Sequence, residues 1–116
     1  MRRNDAEKVR IMIDRAEAMR EVVALRPSEY SSNDRPGRLA RAALRSYVYE
    51  FCDAGNELGK AVRSANPRVD WEEIAEMRYN LAHEYPAVTP EDVLAFAKDR
   101  VPRVVGHLRR LRFPRG

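Results

Sequence analysis

The sequence predicts an all-α fold, an antiparallel bundle of four or five helices whose last helix is kinked or split near Pro102. Two observations carry that prediction. Four stretches repeat apolar residues at intervals of three and four, and Pro, Gly and capping residues separate them. No stretch alternates apolar and polar residues as a half-buried strand would, and no internal repeat or low-complexity run is present.

The first helix is expected to begin at Asn4, with Glu7 at capping-box spacing. Val9, Met12, Ile13, Ala16, Met19 and Val23 form its apolar stripe, and it should fail before Pro27, because a proline pushes the preceding residue out of helical geometry. The stretch RPSEYSSNDRPG reads as a connector. The second helix is expected from about Arg38 to Ser64, with Ala40, Ala43, Leu44, Tyr47, Val48, Phe51, Gly55, Leu58 and Val62 on one face. Gly55 and Gly59 each weaken a helix by about 1 kcal/mol relative to Ala, and their spacing marks a close approach by a bundle neighbour or a second subunit.

Asp70 is the expected cap of the third helix, with Glu73 as its box partner and Pro86 as its limit. Thr89, Pro90, Glu91 and Asp92 announce the fourth: a cap, a proline in the first turn, and acids at the positive helix end. Leu94, Ala97, Val101, Val104, Val105, Leu108 and Leu111 continue its apolar face across Pro102.

Residues 1–116 fit one helical domain with a basic tail at about 109–116. At 44% hydrophobic and 34% charged, the chain has enough apolar material for a core, which excludes global disorder. No apolar run reaches the roughly 18 residues of a membrane span. The N-terminal residues have charge but no apolar run of signal-peptide type, so no secretion signal is expected, and the single cysteine, Cys52, cannot form an internal disulfide; both agree with a cytoplasmic location. The net charge is +4, from 19 Arg and 3 Lys against 18 acids. Six of those arginines follow residue 99, where no acid occurs, so the C-terminal segment is a candidate for direct RNA contact or a plain solvated tail.

The third helix contains the residues least expected of a bundle. Its apolar face, with Trp71, Ile74, Ala75, Leu81, Ala82 and Tyr85, centres almost on Arg78. A buried guanidinium needs a carboxylate, a carbonyl array, a cleft or another chain, and an ion pair within the bundle would suffice. His83 lies five residues on, about 140° around a helix turning 100° per residue. Arg78 and His83 therefore meet only if the helix unwinds before Pro86 or if two copies pack together. Tyr85 returns to the apolar face as a core aromatic. No His/Cys cluster offers a metal site, no Gly-rich loop a phosphate cradle, and His107 has no partner pattern.

The run Arg78, Tyr79, Asn80, Leu81, Ala82, His83, Glu84, Tyr85 resembles the signature of the HEPN superfamily: an arginine, four residues, a histidine, any residue and a tyrosine. Within it, the context from about 69 to 95 is similar to the HepT-like toxins of HEPN/MNT (type VII-like) toxin–antitoxin pairs. The resemblance implies a homodimeric endoribonuclease that cleaves RNA with no metal or cofactor, the ribose 2′-hydroxyl attacking the adjacent phosphorus. His83 would then be general base or acid, suited by an imidazole's ordinary pKa of about 6.5, and Arg78 would clamp the phosphate. It also implies an MNT-type nucleotidyltransferase antitoxin as partner, with Tyr85 the candidate for silencing by adenylylation (AMPylation).

One position departs from that pattern. Where the family usually carries Asn or Asp directly after the arginine, this chain has Tyr79, with Asn80 next. A polar group that orients the histidine is then altered, or its role passes to Asn80. The alternative reading is a non-catalytic partner that binds a nucleotide or a nucleotidyltransferase through the same residues. A helical interaction module in which Arg78 makes only an ion pair is the third.

Overall fold

The computed structural model describes residues 3–84 and 86–113. Among them every element is helical. Two long helices, α1 (Arg3–Val23) and α3 (Arg35–Asn56), are joined through the single turn α2 (Pro27–Tyr30). Then come α4 (Lys60–Ala65), α5 (Trp71–Ala82), α6 (Pro90–Ala95), a π-helical turn at Phe96–Arg100, and α7 (Val101–Leu108).

Side-chain pairs give the directions of the rods. Asp5, Lys8 and Arg15 on α1 meet Gly59, Glu57 and Glu50 respectively, so α1 and α3 run antiparallel. Arg45 and Asp53 on α3 meet Leu81 and Arg78, so α3 and α5 are antiparallel too. The expected stripes supply the core: Met12, Met19, Leu44, Val48, Phe51, Leu58, Ile74, Leu81, Val101 and Leu108 are all buried. Cys52 is buried with them, and removal from water pushes its thiol pKa up, which suppresses the reactive thiolate.

Four details differ from the expectation. Helix α1 already includes Asn4, and the polar anchor at this end is Asp5, only 4% exposed. The second helix is not continuous to Ser64 but breaks after Asn56 and restarts at Lys60. The Asp5 carboxylate accepts the Gly59 N–H at 3.0 Å, satisfying a backbone donor where α4 begins. Gly55, four residues earlier, packs against Met12 and Ile74: a Cβ there would stand 3.0 and 3.2 Å from their methyl carbons. The close approach inferred from these glycines is thus with neighbours in the bundle.

Third, the connector holds a helical turn, and α3 starts three residues early on an Asp34 cap whose carboxylate accepts the Gly37 N–H. Tyr30 closes this corner, buried, with its hydroxyl donating to the Pro90 carbonyl at 2.9 Å. Burial raises its pKa to about 12. Fourth, the break expected at Pro102 takes the form of the π turn just before it, where the Val101 N–H reaches back to the Phe96 carbonyl. Proline has no N–H and crowds the carbonyl four residues back, and a wider turn relieves that crowding. The Thr89–Asp92 capping box forms as expected. At Asp70 only half of the box forms, because Glu73 pairs with Arg100 instead.

Asp5→Ala should lower unfolding free energy by about 1–2 kcal/mol, the usual cost of a lost cap at a buried position, while Asp5→Asn retains most of it. Urea denaturation measures both, and an alanine variant as stable as the parent would contradict the anchoring role.

Candidate functional site

Helix α5 presents Arg78 and His83 to different surroundings. Arg78 lies on the side facing α3, where Asp53 accepts its Nε–H at 3.1 Å. Both side chains are about a third exposed, 35% and 34%, so the pair lies at the rim of the helix seam and not in its core. Of the partners allowed for Arg78 the structure supplies a carboxylate, as an ion pair within the bundle; the expectation of a guanidinium at the buried centre does not hold, since Ile74 and Leu81 occupy that centre. The Asp53 hydrogen bond, with Tyr49 and the burial cost next in weight, leaves the Arg78 pKa above its ordinary value. The bond uses Nε alone, and a guanidinium carries four more N–H donors on its two Nη nitrogens.

His83 is the C-cap of α5 and is exposed. Its backbone N–H still reaches the Tyr79 carbonyl at 3.1 Å, one regular helical bond, so the helix does not unwind before His83. Within one chain the two residues keep their angular separation. Glu84, next along, has φ 49, a left-handed conformation uncommon outside glycine and asparagine. This sharp exit ends α5, with the Glu84 N–H on the Leu81 carbonyl.

The His83 ring is held twice over Tyr79. Nδ1 lies 2.8 Å from the Tyr79 carbonyl oxygen, and the two rings stack with centroids 4.0 Å apart at 27°. A carbonyl only accepts, so Nδ1 must carry the hydrogen; in the neutral ring Nε2 is then the open lone pair. The position where the pattern departs thereby gains a physical account. Tyr79 orients the histidine through its main chain and its ring face, neither of which needs a polar side chain. Asn80 instead lines the groove between α5 and the α6–π segment, with Glu76, Asp92 and Phe96. Tyr85 lies outside the described residues.

Arg45 and Asp53 belong to this site and were not singled out from sequence. Arg45 donates to the Leu81 carbonyl at 2.9 Å, tying the end of α5 to α3. With Tyr49 they form a row at four-residue spacing beside the apolar stripe of α3. That polar row, on a helix expected to have neighbours on several sides, is the signal that would have found them.

A helical bundle whose third long helix carries an exposed histidine and a paired arginine five residues apart defines a class, and comparison names it. Residues 12–111 match the family model described as HepT-like, ribonuclease HepT-like. The chain therefore belongs to the HepT-like ribonuclease family. No curated protein and no solved structure matches it. Among the described residues no helix is long and apolar enough to cross a membrane.

Nitrogen-15 NMR of the imidazole tests the tautomer. The neutral ring of His83 should show a protonated Nδ1 and a bare Nε2, unchanged in Tyr79→Phe, which keeps both carbonyl and ring. A protonated Nε2 in the neutral ring would contradict the assignment.

Proposed function

We propose that this protein is a metal-independent endoribonuclease toxin that cuts RNA at a composite site formed by two copies of the chain. The observation that carries this reading is the geometry of His83: Nδ1–H anchored on the Tyr79 carbonyl, Nε2 open, at an exposed helix end of a HepT-like chain. The Tyr79 carbonyl accepts from Nδ1–H whether or not Nε2 is protonated. The ring thus takes and returns a proton at Nε2 without turning.

In this mechanism Nε2 of His83 removes the proton of a ribose 2′-hydroxyl. The 2′-oxygen then attacks the adjacent phosphorus and the P–O5′ bond breaks, leaving a 2′,3′-cyclic phosphate and a 5′-hydroxyl. Arg78 offers its Nη donors to the phosphate oxygens while Asp53 fixes its Nε. Because α5 stays helical through Ala82, a second copy across a two-fold axis is the remaining way to bring Arg78 and His83 to one phosphate. The same reading makes an MNT-type nucleotidyltransferase the antitoxin, with adenylylation of Tyr85 adding bulk and negative charge beside His83, and places both proteins in the cytoplasm.

His83→Ala and Arg78→Ala should each reduce RNA cleavage in EDTA by about 100-fold or more, with the helical circular dichroism retained. Mixing the two inactive variants should restore part of the activity, since one composite site per mixed dimer is intact. Cleavage that survives His83→Ala removes the histidine from the mechanism, and absence of rescue on mixing removes the shared site.

A further inference from the structure

The last helix and the loop before α5 collect arginines that the site above does not use. Arg100, Arg103, His107 and Arg110 follow one another at intervals of three and four along the last helix and its final turn. Across from them stands Arg68, on the loop between α4 and α5. One groove is lined by Arg68, His107, Arg110 and Arg112, and a second by Arg68, Arg100, Arg103 and His107. They share Arg68 and His107, so the two make one cationic track. Its acids are engaged: Glu73 pairs with Arg100, and Asp70 caps α5. Among the described residues no carboxylate pairs with Arg68, Arg103, Arg110 or Arg112, and all four are exposed.

The track is held in shape. The Asn66 side chain grips the segment after α7 at two points, Nδ2 donating to the Arg112 carbonyl at 2.7 Å and Oδ1 accepting the Arg112 N–H at 2.8 Å. The same Nδ2 also donates to the Val62 carbonyl, and the Asn66 carbonyl accepts from the Trp71 indole. The backbone through Arg112 is therefore docked, and cations carried on a held backbone lose less entropy on binding than those of a frayed tail.

We propose that this basic track is a second RNA-contacting surface, an exosite that grips phosphates of single-stranded RNA away from His83. Exposed arginines along a groove whose own two acids, Glu73 and Asp70, are already engaged suit a string of phosphates. The length of α5 separates Arg68, just before its start, from His83 by roughly 20 Å at 1.5 Å per residue, while Arg100 and Arg103 also line the groove that reaches Asn80. Only an RNA longer than the cleaved step therefore spans from the Arg68 end to His83. The inference rests on the RNA-cleaving reading for its choice of polyanion.

Binding of a long unstructured RNA to the His83→Ala protein, followed by fluorescence anisotropy against salt, tests it. Arg68→Gln, Arg103→Gln and Arg110→Gln should each weaken binding by about 3- to 10-fold and reduce the log–log salt slope by about 0.7. Arg10→Gln, which removes the same charge from α1, should do neither. Asn66→Ala should weaken binding while leaving the slope in place, because it releases the segment without removing charge. In the active protein, the three arginine variants should raise KM for long RNA and leave cleavage of a dinucleotide unchanged. Affinity and slope no different from Arg10→Gln, in variants with unchanged circular dichroism, overturn the exosite. So does a loss confined to binding of anionic lipid vesicles. If dinucleotide cleavage depends on His83 while RNA binding ignores the arginines, the nuclease reading stands and the exosite falls. If the arginines govern RNA binding in a protein that cleaves nothing, the reverse holds.

Discussion

The last carbonyls of α5 lie where the helical ladder runs out, and the groups that satisfy them set the geometry of the candidate site. The Tyr79 carbonyl takes both the backbone N–H and the ring Nδ1 of His83. The Leu81 carbonyl takes the Glu84 N–H and the guanidinium of Arg45 from α3. These bonds close the helix, select the histidine tautomer and lock the end of α5 to its neighbour. The left-handed Glu84 then turns the chain away, so that His83 is left at an exposed corner. If the terminus frayed, the histidine would lose its backbone anchor and Arg45 its acceptor together.

Much of the architecture was legible because burial imposes a period. The apolar stripes of α1, α3, α5 and the last helix correspond to buried residues, and the Thr89–Pro90 start is where local chemistry places it. The break at 56–60 was not legible. It depends on Asp5, more than fifty residues away, supplying a hydrogen-bond acceptor, and no local pattern encodes that pairing. Tyr30 was missed for the same reason: in sequence it lies in a polar connector, and only its contact with Pro90 buries it.

For the site, Arg78 and His83 could be picked out as exceptions to a helix face, but their settings could not. That Arg78 needs a partner followed from the cost of an unpaired guanidinium, with a carboxylate one of several candidates, and its identity as Asp53 needed the packing of α3 on α5. The substitution at Tyr79 looked like the loss of a polar orienting group. In the structure the contact that holds the His83 ring comes instead from the Tyr79 main-chain carbonyl, which every residue type carries. Sequence motifs record side chains, and backbone contributions to a site are invisible to them.

The π turn at Phe96–Arg100 has a consequence for the surface beyond it. A π turn holds one residue more than an α turn, so everything after it is rotated by about 100° relative to an uninterrupted helix. The buried face of α7, Val101, Val104 and Leu108, and the arginines on its other side both take their bearing from that extra residue. Removing a single residue there would scarcely shorten the helix. It would instead swing the basic row out of line with Arg68 and turn charged side chains toward the core. The length of this one turn is a setting of angle.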